Sequence, residues 1–61
     1  MTNETKKAIN DRAWEIGEWA GAIMKETDAE KNFSDPAYIR EKVDLIEIFL
    51  NGIKRLLEVD K

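Results

Sequence analysis

The stretch DPAYIREKVDLIEIFLNGIKRLLEV, residues 35–59, decides the fold of this 61-residue chain. Apolar residues recur in it at alternating four- and three-residue steps, and this set is termed the second seam: Ile39, Val43, Ile46, Leu50, Ile53 and Leu57. Such spacing places the six side chains along one line of an α-helix that packs lengthwise against another helix. The stretch therefore predicts a long helix with at least one helical neighbour.

The first part of the chain carries a matching pattern. Large and small apolar residues alternate there at the same steps, and this set is termed the first seam: Ile9, Ala13, Ile16, Ala20 and Ile23. Two seams of similar length on one short chain are typical of an antiparallel helical hairpin. We predict an all-α fold and a single domain, residues 1–61, with a helix over about 3–26, a linker over 27–35 and a helix over about 36–58.

The start of the second helix has a clear local signal. Pro36 suits the first helical position, and Asp35 before it suits the N-cap. If Ser34 is the cap instead, Phe33 and Tyr38 stand at the two positions of a hydrophobic staple. Both interpretations begin the helix at the same place.

A further apolar stripe lies beside the second seam, and it is termed the second stripe: Tyr38, Leu45, Phe49 and Leu56. One partner helix cannot cover both sets. The chain has no cysteine and no histidine, so neither disulfides nor the usual zinc sites are present to stabilise so small a domain. We therefore predict that hairpins self-associate through the second stripe, as a four-helix bundle or a larger helical oligomer.

Charge and hydropathy narrow the class of protein. The chain has 13 acidic and 10 basic residues, a net charge of −3, which disfavours non-specific attachment to a phosphate backbone. No apolar run approaches the roughly 18–20 residues of a membrane span, and the first residues lack a signal-peptide core. We expect a cytoplasmic protein without membrane contact.

Catalytic side chains are scarce. Histidine and cysteine are missing, and Ser34 is better interpreted as a helix cap. Acidic pairs at helical spacing, such as Glu15 with Glu18, have the oxygen ligands that hard cations prefer. Such pairs are also the expectation on a chain with 38% charged residues. We predict no enzymatic activity, no cofactor and no metal site.

Three glycines within the predicted helices require a reason, because each costs about 1 kcal/mol relative to alanine. Gly17 and Gly21 lie beside the first seam, next to Trp14. One interpretation is the close approach of another helix, with the indole packed over the glycine backbone. A second is a shallow pocket that accepts a ligand or a partner side chain, and a third is that the helix simply tolerates the weakness. Gly52 is predicted to admit a bulky residue such as Trp19.

The tryptophans fall on opposite flanks of the first seam, and a two-helix interior needs neither. Tryptophan is enriched in interfaces, so we predict a partner contact for at least one of them. Trp14 also shares a face with lysines, and an aromatic ring between lysines can stack on a nucleobase. The predicted binding residues are Trp14, Gly17, Gly21, Trp19, Lys7, Asn10 and Lys25.

One known design shares several of these residues. Met1-Thr2, Lys6, Ala8-Ile9-Asn10, Trp14 and Lys25 resemble the Rop-type RNA-binding hairpins of plasmid copy-number control. That resemblance implies a homodimeric four-helix bundle with an RNA face at Asn10, Trp14 and Lys25. The linker is longer here and the seam is displaced by one residue, so we treat the likeness as a shared design.

The sequence thus predicts a small, non-catalytic, homo-oligomeric helical protein. Its function is expected to be binding or inhibition, of the kind that phages and plasmids encode, through contacts of helix faces with a protein or a small ligand. The alternatives are a Rop-like RNA-binding four-helix bundle and a phage protein that sequesters a nucleotide signal.

Overall fold

The computed structural model describes residues 1–59, and the last two residues of the predicted domain lie outside the described residues. Helix α1 spans Asn3–Glu26 and helix α2 spans Pro36–Val59. The two helices pack against each other as a hairpin 47 Å long, with no strand in the described part, so the prediction of an all-α helical hairpin is confirmed. Over residues 1–59, neither helix has the length and apolar character that crossing a membrane requires.

The linker is held by Glu26, the last residue of α1. Its carboxylate accepts hydrogen bonds from Lys31 Nζ and from the backbone N–H of Asp35, the latter at 2.8 Å. Its backbone carbonyl accepts a third hydrogen bond, from Ser34 Oγ at 2.6 Å. Glu26 therefore joins the end of one helix to the start of the next.

Each helix begins at a side-chain cap. Thr2 Oγ1 accepts from the backbone N–H of Thr5 at 3.1 Å, and Asp35 Oδ1 accepts from the backbone N–H of Ala37 at 3.0 Å. Of the two caps considered for α2, the structure has Asp35. Phe33 is exposed, so the staple interpretation does not hold.

The contact between the helices is partly polar. The Arg12 side chain lies over Gly52, so close that a Cβ built on Gly52 would stand 2.9 Å from Arg12 Nε. Gly52 thus makes room for a bulky residue of the neighbouring helix, and within the hairpin that residue is Arg12 and not Trp19. Near the linker, Lys42 of α2 lies over the ring of Trp19. Later residues of α1 meet earlier residues of α2, so the hairpin is antiparallel.

These contacts fix which side of each helix faces the other, termed the contact side. The contact side of α1 holds Ala8, Arg12, Glu15, Trp19 and Glu26, and that of α2 holds Lys42, Leu45, Phe49, Gly52 and Leu56, all half-buried.

The two seams adjoin the contact sides, and eight of their eleven residues are half-buried as well, namely Ile9, Ile16, Ala20, Ile23, Ile39, Val43, Ile46 and Ile53. Leu50 and Leu57 of the second seam are 43% and 48% exposed, and Ala13 of the first seam is exposed as well. The prediction that the seams pair within one chain is therefore wrong at these positions. Among residues 1–59 no side chain is fully buried.

The Glu26 cluster predicts an acid-sensitive hairpin. The hydrogen bond from Lys31, and then that from the Asp35 backbone, holds the pKa of the Glu26 carboxyl below its ordinary value of 4.5, against the opposing effect of desolvation. Because the pKa is lower in the folded than in the unfolded chain, Glu26 stabilises the fold above about pH 4.5 and this contribution disappears as the pH falls below it. We expect Glu26→Gln to lower the Tm at neutral pH and to flatten the fall of Tm in acid, as measured by circular dichroism.

The matched control is Glu30→Gln, which removes the same charge four residues further along, within the linker. Its dependence of Tm on pH should follow that of the wild type. A Glu26→Gln variant with the wild-type curve would contradict the role given to this carboxylate.

Candidate binding groove

An open groove of about 640 Å³ follows α1 from Trp14 to the linker. Its lining comprises Trp14, Glu15, Gly17, Glu18, Trp19, Gly21, Ala22, Lys25, Glu26, Lys31 and Tyr38. Most of the residues predicted from the sequence to bind a partner are in this lining, whereas Lys7 and Asn10 are outside it. Their binding role stays a prediction.

Gly17 and Gly21 form an open floor. A Cβ built on either glycine would meet nothing within 4 Å. The other helix of the hairpin therefore does not need these glycines, and the close approach considered for them does not occur within the chain. The pocket interpretation agrees with the groove, because a glycine floor leaves the space above the helix backbone free.

Trp14 forms an exposed wall of the groove. The side chain is 64% exposed, which is unusual for so large an apolar surface. Trp14 and Trp19 do differ in environment, since Trp19 is half-buried on the contact side of the same helix. The two indoles therefore serve the groove differently, one as a free surface and the other as part of its supporting structure.

Lys42 contacts the two other aromatic residues of the groove lining, Trp19 and Tyr38. Its Nζ lies 5.0 Å from the centroid of the Trp19 ring and 4.7 Å from that of the Tyr38 ring, and its side chain is only 12% exposed. A cation over an aromatic face contributes about 0.5–2 kcal/mol, more as the pair loses water. Nε1 of Trp19 is buried and has no hydrogen-bond partner among the described residues, a cost of about 1–3 kcal/mol.

The rim of the groove carries charges of both signs. Three carboxylates, those of Glu15, Glu18 and Glu26, share the lining with Lys25 and Lys31. The ion pair between Lys31 and Glu26 neutralises one charge of each sign. The groove thus offers a mixed and slightly negative rim around an apolar and glycine floor. Within residues 1–59, no group of three or more side chains is arranged to hold a metal ion.

The sequence analysis missed several residues that line the groove or support its lining. Lys42 supports the groove from α2, and Glu26 and Lys31 close its linker end. A signal for Lys42 did exist, because a lysine four residues after Tyr38 lies on the same helix face. No comparable signal existed for Lys31, whose place depends on the path of the linker.

Tyr38 is the one member of the second stripe in the groove lining, while Leu45, Phe49 and Leu56 lie on the contact side of α2. A single hairpin does not test whether this stripe joins subunits, so that role stays a prediction.

Comparison with known proteins adds no family: no protein-family model matches the chain, and neither the curated proteins nor the solved structures give a significant match. Function is therefore argued from the groove and the surfaces of this hairpin alone.

The open floor predicts that glycine weakens this helix without a packing benefit inside the chain. Gly17→Ala and Gly21→Ala should each raise the free energy of unfolding by about 0.5–1 kcal/mol, because alanine adds no clash and costs less backbone entropy. Chemical denaturation followed by circular dichroism measures the change.

Gly52→Ala is the control for this pair, since its Cβ would meet Arg12. It should gain less stability than the other two variants or lose some. Equal gains at all three positions would contradict the distinction between an open and an occupied glycine.

Proposed function

We propose that this chain is a non-catalytic binding protein, a homo-oligomer of helical hairpins that holds a protein partner in the groove of α1. The observation that carries the proposal is the pair of open glycines beside an exposed tryptophan. Gly17 and Gly21 weaken α1, and nothing within 4 Å in the hairpin requires them. A partner segment packed closely on this floor would require glycine at both positions, whereas the contacts within the hairpin do not.

Trp14 supplies the anchor for such a segment. Tryptophan is among the residues that contribute most to protein–protein affinity, because a large rigid surface loses little entropy when it is covered. Its indole stands at the edge of the glycine floor, so a partner side chain packed on the ring also reaches the helix backbone. The groove thus combines an apolar anchor with a close approach.

The charges of the rim favour a protein over a nucleic acid. Carboxylates outnumber ammonium groups in the lining, and a phosphate backbone near Glu15 and Glu18 would meet repulsion. A protein segment can match charges of both signs. An RNA-binding function remains the second candidate for one reason, namely that Lys25 and Trp14 line the same groove.

Exposed surface supports the homo-oligomer. A compact folded chain of 7.1 kDa is expected to expose about 4,100 Å². This hairpin exposes 4953 Å². The excess, roughly 850 Å², means that this elongated hairpin leaves more surface in water than a compact chain of the same mass. Since no described side chain is fully buried, further association would supply the core that one hairpin lacks.

The groove predicts that Trp14→Ala weakens partner binding. Truncating an interface anchor typically costs about 2 kcal/mol or more, which is a loss of affinity of roughly thirtyfold. Partners captured on the tagged wild-type protein would be identified by mass spectrometry, purified and titrated against each variant by calorimetry. The control is Met24→Ala, because Met24 is exposed on the same helix but outside the groove lining.

Salt separates the two candidate functions. Binding of a protein segment to an apolar floor should change little between low and moderate salt, whereas binding to RNA should fall by orders of magnitude. Partner binding that is equal in Trp14→Ala and Met24→Ala would contradict the groove as the site. A captured RNA with steep salt dependence would favour the second function.

A further inference from the structure

The two seams lie on the same side of the hairpin. Around the axis of each helix, the mean direction of the seam residues is rotated by roughly 90° from that of the contact-side residues. Viewed from the N-terminus of each helix, the rotation has the same direction in both. Because the helices are antiparallel, equal turns in the same sense lead to one common side. The first and second seams together are termed the apolar flank. None of their eleven residues is charged.

The opposite side of the hairpin has another character. Turning the other way from the contact sides leads to Glu4, Asp11 and Glu18 on α1 and to Asp44 and Arg55 on α2, all of them exposed. On α2 the only large apolar residue there within the span of the second seam is Ile48, which is 64% exposed, and on α1 the exposed Trp14 stands one turn before Glu18. The hairpin therefore has one apolar and one charged flank.

The apolar flank needs a cover that is always present. Ala13, Leu50 and Leu57 are exposed in the single hairpin, the two leucines at 43% and 48%, and the other eight residues of the flank are only half-buried. Without a fully buried side chain, the hairpin depends on this cover for its own stability. If every copy of the chain needs a partner on this surface, that partner must be present at the same concentration as the chain. A second copy of the chain meets this requirement.

The shapes of the two seams favour the same occupant. Isoleucine alternates with alanine along the first seam, so small residues such as Ala13 and Ala20 leave recesses. The second seam carries leucines in addition to its β-branched residues, and leucine can fill such recesses. Both seams have the four- and three-residue steps of bundle helices and run along helices of 24 residues each.

We infer that the apolar flank is the surface on which a second copy of this hairpin packs, flank to flank, to form a four-helix bundle. The inference rests on the homo-oligomer of the proposed function and assigns its interface. It differs from the interface predicted from the sequence, the second stripe, of which Leu45, Phe49 and Leu56 lie on the contact side of α2. It also leaves the Trp14 grooves outside, since Trp14 lies far around α1 from the first seam.

Lysine substitutions test the surface. Leu50→Lys and Leu57→Lys place a charge in the apolar flank, while Ile48→Lys places the same charge on the charged flank of the same helix. Light scattering coupled to size exclusion should give the mass of two chains for the wild type and for Ile48→Lys. The two flank variants should lose this mass, as monomers or as unfolded chains.

Thiol protection tests the surface without disrupting it. The chain has no cysteine, so Ala13→Cys and Asp11→Cys each carry a single thiol, two residues apart on exposed positions of one helix. In the bundle Ala13 is covered and Asp11 is not. Alkylation of Ala13→Cys by iodoacetamide should be at least about tenfold slower than that of Asp11→Cys, and the two rates should converge in denaturant.

The outcomes distinguish this inference from the function on which it rests. A wild-type protein that is monomeric at micromolar concentration would overturn both the homo-oligomer and its interface. An oligomeric wild type in which both thiols react equally fast, or in which Leu50→Lys keeps the native mass, would overturn the apolar flank alone. Slow alkylation at Ala13→Cys together with dissociation of Leu50→Lys would support it.

Discussion

Two helices share only one line of contact, and each helix of this chain carries more apolar surface than that line can cover. Two basic residues in that contact combine an apolar body with a polar end. Arg12 lies across Gly52, and Lys42 lies between two aromatic rings. Long basic side chains of this kind cover a neighbour with their methylene groups and still reach water at the edge. Wholly apolar residues lie both in this contact, as Leu45, Phe49 and Leu56 do on α2, and on the flank beside it.

The lengths and ends of the helices were readable from the sequence, and the side by which they meet was not. Helix ends depend on local chemistry, such as an N-cap carboxylate before a proline, which a short segment displays in full. The side by which one helix packs on the other can be found only by comparing all the stripes of residues around each helix. The contact side of α2 has the same three- and four-residue steps as the second seam, but it includes Lys42 and Gly52, which a search for apolar residues does not count. The contact side of α2 and the second seam thus both had helical spacing. The sequence analysis chose the second seam as the packing side because it is the more apolar of the two.

The groove was predictable to the extent that it lies on one helix. Trp14, Gly17, Gly21 and Lys25 share a face by spacing alone, and the structure keeps them together in one lining. The supporting residues come from the linker and from α2, so their contribution required the path of the chain. The same limit applied to Trp19, whose position toward α2 follows from the contact side and not from its distance to Trp14 along the sequence.

The linker has a consequence for how the hairpin forms. Its hydrogen bonds connect Glu26 to Ser34 and Asp35, which are only eight and nine positions further along the chain. Closing so short a loop costs little chain entropy, and each later contact adds residues next to those already joined. The two helices can therefore zip together from the linker toward their free ends. We expect opening in the reverse order, with the groove, which lies at the linker end, in the half of the hairpin that assembles first and separates last.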